Sequence, residues 1–323
     1  MKAERGARLF VIGLVLGLPL TALIALRVAP ERTLMLQAQM AEAGGWTPAD
    51  LTARVGVPLQ LRLTSDDVAH GFAVGQTDWP AVAVMPGQVT KTVLTFAQPG
   101  TYTFYCTTWC GPNHWRMRGT IEVSGSATPS VASRPPLYQR LGLDIDAPHV
   151  ATNLPTRRPS AARGAPLGGV VPSQYLALAF YRAHSPVELW QILRTDAALH
   201  AATDAELWDL VAYVSRQNAS TKAIQMGALL YTANCAACHG AAGDGMGIYV
   251  TSTAHQMGSG MTQMPADFTN AANMLGASPA LLQGKIIRGG MGTGMPSWGP
   301  IFTEDQTWAL VDYLYTFQME DQQ

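Results

Sequence analysis

Cys106-Thr-Thr-Trp-Cys110-Gly-Pro-Asn-His114-Trp-Arg-Met117 gathers two thiols, an imidazole and a thioether into one short stretch. These are soft donors, the kind that selects copper. Cys110, His114 and Met117 alone would satisfy a single-copper site, so Cys106 is an extra thiolate. Two cysteines separated by three residues can face one centre from the same loop and bridge two copper ions. His114, Met117, a more distant histidine and a backbone carbonyl would then complete the ligand set. His70, in Asp67-Val-Ala-His70-Gly-Phe72 just after the strand-like Pro58–Thr64, is the candidate for that histidine, entering from a neighbouring strand end. On the residues alone a Cys106–Cys110 disulfide, a zinc site and a mononuclear copper site stay open.

Around this loop the sequence is β-rich. Val55–Thr64, Val82–Met85, Thr90–Phe96, Thr101–Tyr105 and Gly119–Val123 read as strands, punctuated by Pro86-Gly87 and Pro99-Gly100, and predict a small all-β sandwich over residues 31–125. From Leu61 to Val123 the chain resembles subunit II of haem-copper oxidases, the cupredoxin domain that carries the dinuclear copper A centre. His70-Gly-Phe, Met85-Pro-Gly, Pro99-Gly-Thr-Tyr and Cys106 through Met117-Arg-Gly-Thr carry the resemblance, which is nearest to the ba-type branch. It implies His70, Cys106, Cys110, His114 and Met117 as copper ligands, with the Thr108 backbone carbonyl as a further one. The commoner branch has glutamate at the Thr108 position, where its carboxylate serves a magnesium site shared with subunit I. Thr108 keeps the carbonyl and lacks the carboxylate.

A second motif lies far downstream. Cys235-Ala-Ala-Cys238-His239 is the c-type haem attachment pattern, in which two thiols become thioethers and the adjacent imidazole is placed under the iron. Helical segments at Ala223–Tyr231 and Asp305–Phe317 flank it, and residues 220–323 resemble a small all-α monohaem cytochrome c. The sixth ligand is a choice among Met257, Met261, Met264, Met291 and Met295. Met295, in Gly290-Met-Gly-Thr-Gly-Met295-Pro296, is favoured because glycines let the loop approach a haem and the proline stiffens it; Met291 is the runner-up. A methionine ligand raises the haem potential.

The remaining sequence sets the frame. At 323 residues the chain has room for two or three domains. Its net charge of −1 with 13% charged residues gives no sign of nucleic-acid binding. Leu9–Leu26 is an uncharged run preceded by Lys2, Arg5 and Arg8, which predicts a membrane anchor over residues 1–30 with a cytoplasmic N-terminus and everything later outside. Residues 31–45 read as a short helix or stalk, with Met35, Leu36 and Met40 on one side. Trp79, Trp109 and Trp115 read as surface aromatics that could help dock subunit I or a donor. Residues 126–167 have the composition of a linker, rich in Pro, Ala and Arg. Residues 168–219 are helical, and Thr203 to Tyr213 echoes Thr303 to Tyr313 one hundred positions later, with Trp208 and Trp308 in register. The segment is either a degenerate, haemless cytochrome-like unit or a pair of amphipathic helices alike by chance.

An anchor, a copper domain and a haem domain in one chain imply an electron relay without chemistry of its own. The resemblance implies two coppers, one covalent haem c and a membrane subunit I that reduces oxygen to water. A nitric oxide reductase of the same superfamily, or a free membrane-anchored carrier, are the alternatives. Residues 223–323 hold two basic residues against seven acidic ones, a face suited to a basic cytochrome c as external donor; a cupredoxin donor is the other candidate.

Overall fold

The computed structural model describes residues 33–111, 113–126, 134–253, 264–290 and 294–320. The first part is a two-sheet sandwich. One sheet has the order β2 (Trp46–Thr47), β1 (Thr33–Ala38), β4 (Leu59–Ser65), β7 (Thr90–Leu94). The other runs β3 (Asp50–Arg54), β9 (Arg118–Ser124), β8 (Gly100–Cys106), β5 (His70–Val74), β6 (Val82–Val84). Pairing is antiparallel except for β1 with β4 and β3 with β9, which run parallel. Leu59, Leu61 and Leu63 alternate inward along β4, as a half-buried strand requires. Between the sheets Trp46, Phe72 and Phe104 meet with ring centroids 5.6–5.9 Å apart.

Residues 33–38 are therefore a strand and not the helix or stalk expected. Leu36 and Ala38 are fully buried while Met35 and Gln37 are exposed, so the apolar positions recur every second residue. Trp79 packs edge-on to Phe96 at 5.0 Å, partly buried against the sandwich core.

The second part is helical. Its longer helices are α4 (Pro186–Thr195), α5 (Asp204–Asn218), α6 (Thr221–Asn234), α10 (Pro279–Arg288) and α11 (Glu304–Tyr315). Between and before them lie the shorter α1 (Leu137–Arg140), α2 (Ala161–Gly164), α3 (Leu178–Ala183), α7 (Ala236–His239), α8 (Ile248–Thr253) and α9 (Ala271–Gly276). One hydrophobic cluster runs through it from Ile145 to Met319, so residues 168–219 and 220–320 share a single core. Residues 134–167 join that core too and are not a free linker. Ile145, Ala151 and Ala161 are buried, and Arg157 and Arg163 both reach the buried Asp209 carboxylate, at 2.6 and 3.2 Å. Composition hid this, because the segment is held by polar bonds to a distant helix.

The hundred-residue echo has a geometric counterpart. Thr203 and Thr303 each close a capping box at the start of α5 and α11, and Ser185 and Ser278 cap α4 and α10. α5 and α11 are each crossed by a glycine that admits no side chain. A Cβ at Gly164 would lie 2.2 Å from Asp209 O, and one at Gly227 would lie 2.0 Å from Ala309 O. Asp209 and Ala309 are themselves one hundred positions apart.

Among the described residues no helix is long and apolar enough to cross a membrane, and Leu9–Leu26 lies outside them.

Candidate metal centre and haem site

Strand pairing assembles the first site. β5 starts at His70 and β8 ends at Cys106, and the two run antiparallel with Phe72 opposite Cys106. The histidine therefore faces the start of the ligand loop, where Thr107 N donates to Gly71 O at 3.1 Å. His70, Cys106 and Cys110 are all buried and their donor atoms lie within 4.8 Å of one another.

Two triads of donors result. His70 Nδ1 lies 3.7 Å from Cys106 Sγ, which is itself 3.2 Å from the Thr108 carbonyl oxygen. His114 Nδ1 lies 3.5 Å from Cys110 Sγ, which is 3.2 Å from Met117 Sδ. All six residues named from the sequence for this centre are thus brought together. The donors are two sulfurs, two imidazoles, a thioether and a carbonyl, which fits copper better than a harder ion.

Residues not singled out from sequence hold these ligands in place. Asp67 Oδ1 is 2.8 Å from His70 Nε2, so the ring carries its proton there and turns Nδ1 toward the sulfurs. Asp67 is fixed in turn by the backbone N–H groups of Met40 and Val68, both at 2.6 Å. Burial works against a charged His70, but its hydrogen bonds to Cys106 and Asp67 outweigh this and raise its pKa. Trp46 Nε1 and the Cys106 N–H both donate to the Met117 carbonyl, at 3.2 and 3.0 Å, and pin the loop's far end. Asn113 takes a left-handed conformation, φ 54°, before the short turn His114–Arg116 that presents the imidazole. An aspartate three residues before a ligand histidine is a usable sequence signal, though Asp66 would have competed with Asp67. Trp46 carries no such signal.

The second site is built on a helix end. α6 stops at Asn234 and the chain tightens through Cys235 into α7, which ends at Gly240 with φ 79°. Cys235, Cys238 and His239 share this turn and are half-buried. His239 Nδ1 lies 3.0 Å from Ala266 O, a bond that leaves Nε2 as the ligand nitrogen. Its ring stacks on Phe268 at 4.6 Å. Burial, only partly offset by the Ala266 carbonyl, lowers the His239 pKa and keeps the imidazole neutral, the form that ligates iron. Burial also pushes Cys235 and Cys238 up, to about 12 and about 11. Two thiols and a neutral imidazole on one turn fit covalent haem. Met295 sits in the loop after α10, packed against the helical core, with its carbonyl accepting from Gly290 N at 3.1 Å. Met264 is 63% exposed, and Met257, Met261 and Met291 lie outside the described residues.

The structure thus joins a cupredoxin-like sandwich with a soft-donor cluster to a helical region with a Cys-x-x-Cys-His turn. The comparisons agree. Residues 32–124 match the family described as cytochrome c oxidase subunit II, periplasmic domain, and residues 224–318 match cytochrome c. An 84-residue stretch is 39% identical to two cytochrome c oxidase subunit 2 sequences of Thermus thermophilus. That stretch is 26% of this chain and spans 62% and 49% of those relatives. Among solved structures, a heme-copper terminal oxidase dimer is 23% identical with a TM-score of 0.26, covering 38% of this chain and 100% of that one. The periplasmic domain of cytochrome oxidase subunit II from Bradyrhizobium japonicum is 19% identical with a TM-score of 0.25, covering 28% of this chain and 83% of that one. Likeness that weak carries no weight beside the strand order described above. The chain thus joins a region like the periplasmic domain of cytochrome c oxidase subunit II to a region like cytochrome c, and it spans less than two thirds of the length of the Thermus relatives it matches.

Proposed function

We propose that this chain is the electron-entry subunit of a membrane haem-copper terminal oxidase. It would be held in the cytoplasmic membrane by Leu9–Leu26, with both metal-bearing regions on the outer side. The observation that carries the reading is the convergence of His70, Cys106, Thr108, Cys110, His114 and Met117 in two triads, each centred on one sulfur of the Cys106 and Cys110 pair. That pairing is what a dinuclear copper A centre needs, and a single copper would leave one triad without a purpose. Both centres, when bound, supply one-electron chemistry at high potential.

The chain's own residues do the positioning. Cys106 and Cys110 would hold the metals together with His70, His114, Met117 and the Thr108 carbonyl, Asp67 holds His70 in register, and the bonds onto the Met117 carbonyl hold the far end of the loop. Cys235 and Cys238 would tether haem c, and His239, through Nε2, and Met295 would hold its iron. Electrons would pass from an external donor to the haem, on to copper and out to subunit I, where oxygen is reduced to water. The net charge of −5 over residues 223–323, against zero over residues 50–125, favours the haem region as the landing place of a basic donor.

Purified holoprotein should contain two coppers and one haem that acidified acetone does not extract. On rapid mixing with a reduced basic cytochrome, the haem band should be reduced before the copper band. One copper per chain, extractable haem, or copper reduced first would overturn the proposal.

A further inference from the structure

Trp109 and Trp115 flank ligands of the copper loop, and both are half-buried. Both meet Tyr249 of the helical region, with ring centroids 5.9 and 4.8 Å away at interplanar angles of 71° and 89°. Trp109 also lies 5.7 Å from the His114 ring. Tyr249 is 1% exposed and stands two residues after Gly247, whose N–H donates to Cys238 O at 3.0 Å. A side chain at Gly247 would strike Ala237 O at 2.3 Å, so this strand of chain lies directly on the haem attachment turn.

A second set of contacts joins the same two regions through the other haem segment. Gln76, just past β5, takes a left-handed conformation, φ 61°, which an ordinary side chain adopts at a cost. Its N–H donates to Ile301 O at 2.9 Å, and its side-chain amide donates to Gly299 O and Phe302 O at 2.6 and 2.5 Å. A Cβ on Gly75 would come within 2.5 Å of Pro300 O, so the two backbones pack directly. Arg118, one residue beyond Met117, donates to Ser297 O at 2.9 Å and lies over Trp298 at 5.2 Å. Ser297 is two residues from Met295.

We propose that the haem region is permanently seated on the copper loop, with Tyr249 clasped by Trp109 and Trp115 as the contact through which electrons cross. The proposal rests on the relay function above and deepens it. Both haem-bearing segments touch the copper domain, and each does so beside a copper ligand. One electron leaves ferrous iron and enters the copper pair, with no bond formed or broken. The seating also covers Trp109 and Trp115 in part, so a soluble donor meets the haem region because this part of the copper face is occupied.

The test uses full-length holoprotein with a protease site placed in residues 127–133. After cleavage, the two fragments should co-elute at micromolar concentration. Gly75→Leu, which forces a side chain against Pro300, should weaken that association about tenfold or more. Tyr249→Leu should slow intramolecular electron transfer after flash reduction by about tenfold or more, with haem and copper absorption unchanged. Wild-type fragments that separate freely, or a Tyr249→Leu rate equal to wild type in protein with both absorption spectra intact, would overturn the seating and leave the relay standing. Holoprotein lacking either spectrum would instead overturn the relay on which the proposal rests.

Discussion

The two cysteine pairs differ by one residue of spacing and by everything around them. Cys106 and Cys110 are buried on a strand end and its loop, within reach of each other and of two imidazoles. Hydrogen bonding from Cys110, working against burial and joined by His114 and His70, pulls Cys106 down to about 2, while the shared proton and burial push Cys110 up. Cys235 and Cys238 sit on a helical turn whose imidazole, His239, bonds to the Ala266 carbonyl instead of to either sulfur, and burial raises both. In the first pair one sulfur is held as a thiolate and shares the proton of the other. The second is kept as thiols, the form that adds across a haem vinyl group. On the proposed function the same residue type would serve metal binding in one place and covalent attachment in the other, with the neighbouring groups setting the difference.

The largest way to break this contrast is Cys106→Ser. It should reduce copper from two per chain to at most one and abolish the seven-line copper signal, with haem content unchanged. A surviving seven-line spectrum would remove the bridging role. Met295→Leu sharpens the other side. It should lower the haem midpoint potential by on the order of 100 mV and erase the near-infrared sulfur-to-iron band while the copper spectrum stays as it was. If the band persists, Met295 is not the axial ligand. The smallest effect is expected of Asp67→Asn, which leaves every ligand present but frees the His70 ring. Copper affinity, read by competition with a chelator, should fall roughly tenfold, with the haem potential unmoved. An unchanged affinity would show that the strand frame alone orients His70.

The strands around the copper loop were legible where apolar residues alternate between Pro-Gly turns, as from Thr90 to Tyr105. β1 was missed because Met35 and Met40 mimic a helical stripe in a segment of mixed composition, although Leu34, Leu36 and Ala38 obey a period of two. β5 was missed because it is buried throughout and shows no alternation. Residues 134–167 look like a linker because Pro, Ala and Arg mark flexible chain on average. Here Arg157 and Arg163 find the Asp209 carboxylate, which lies some fifty residues away and faces them only once α5 has formed.

By itself the sequence named the donor groups of both sites. Donor type, cysteine spacing and the histidine after Cys238 are local properties, and a soft-donor loop or a Cys-x-x-Cys-His turn has few other uses. The tertiary structure alone decided which groups stand behind those donors. Asp67, Trp46 and Ala266 act through hydrogen bonds whose partners are three, seventy-one and twenty-seven residues away. The meeting of Tyr249 with Trp109 and Trp115 was likewise beyond reach, since an aromatic pair across more than a hundred residues is created by how two regions pack, and leaves no periodic trace in either.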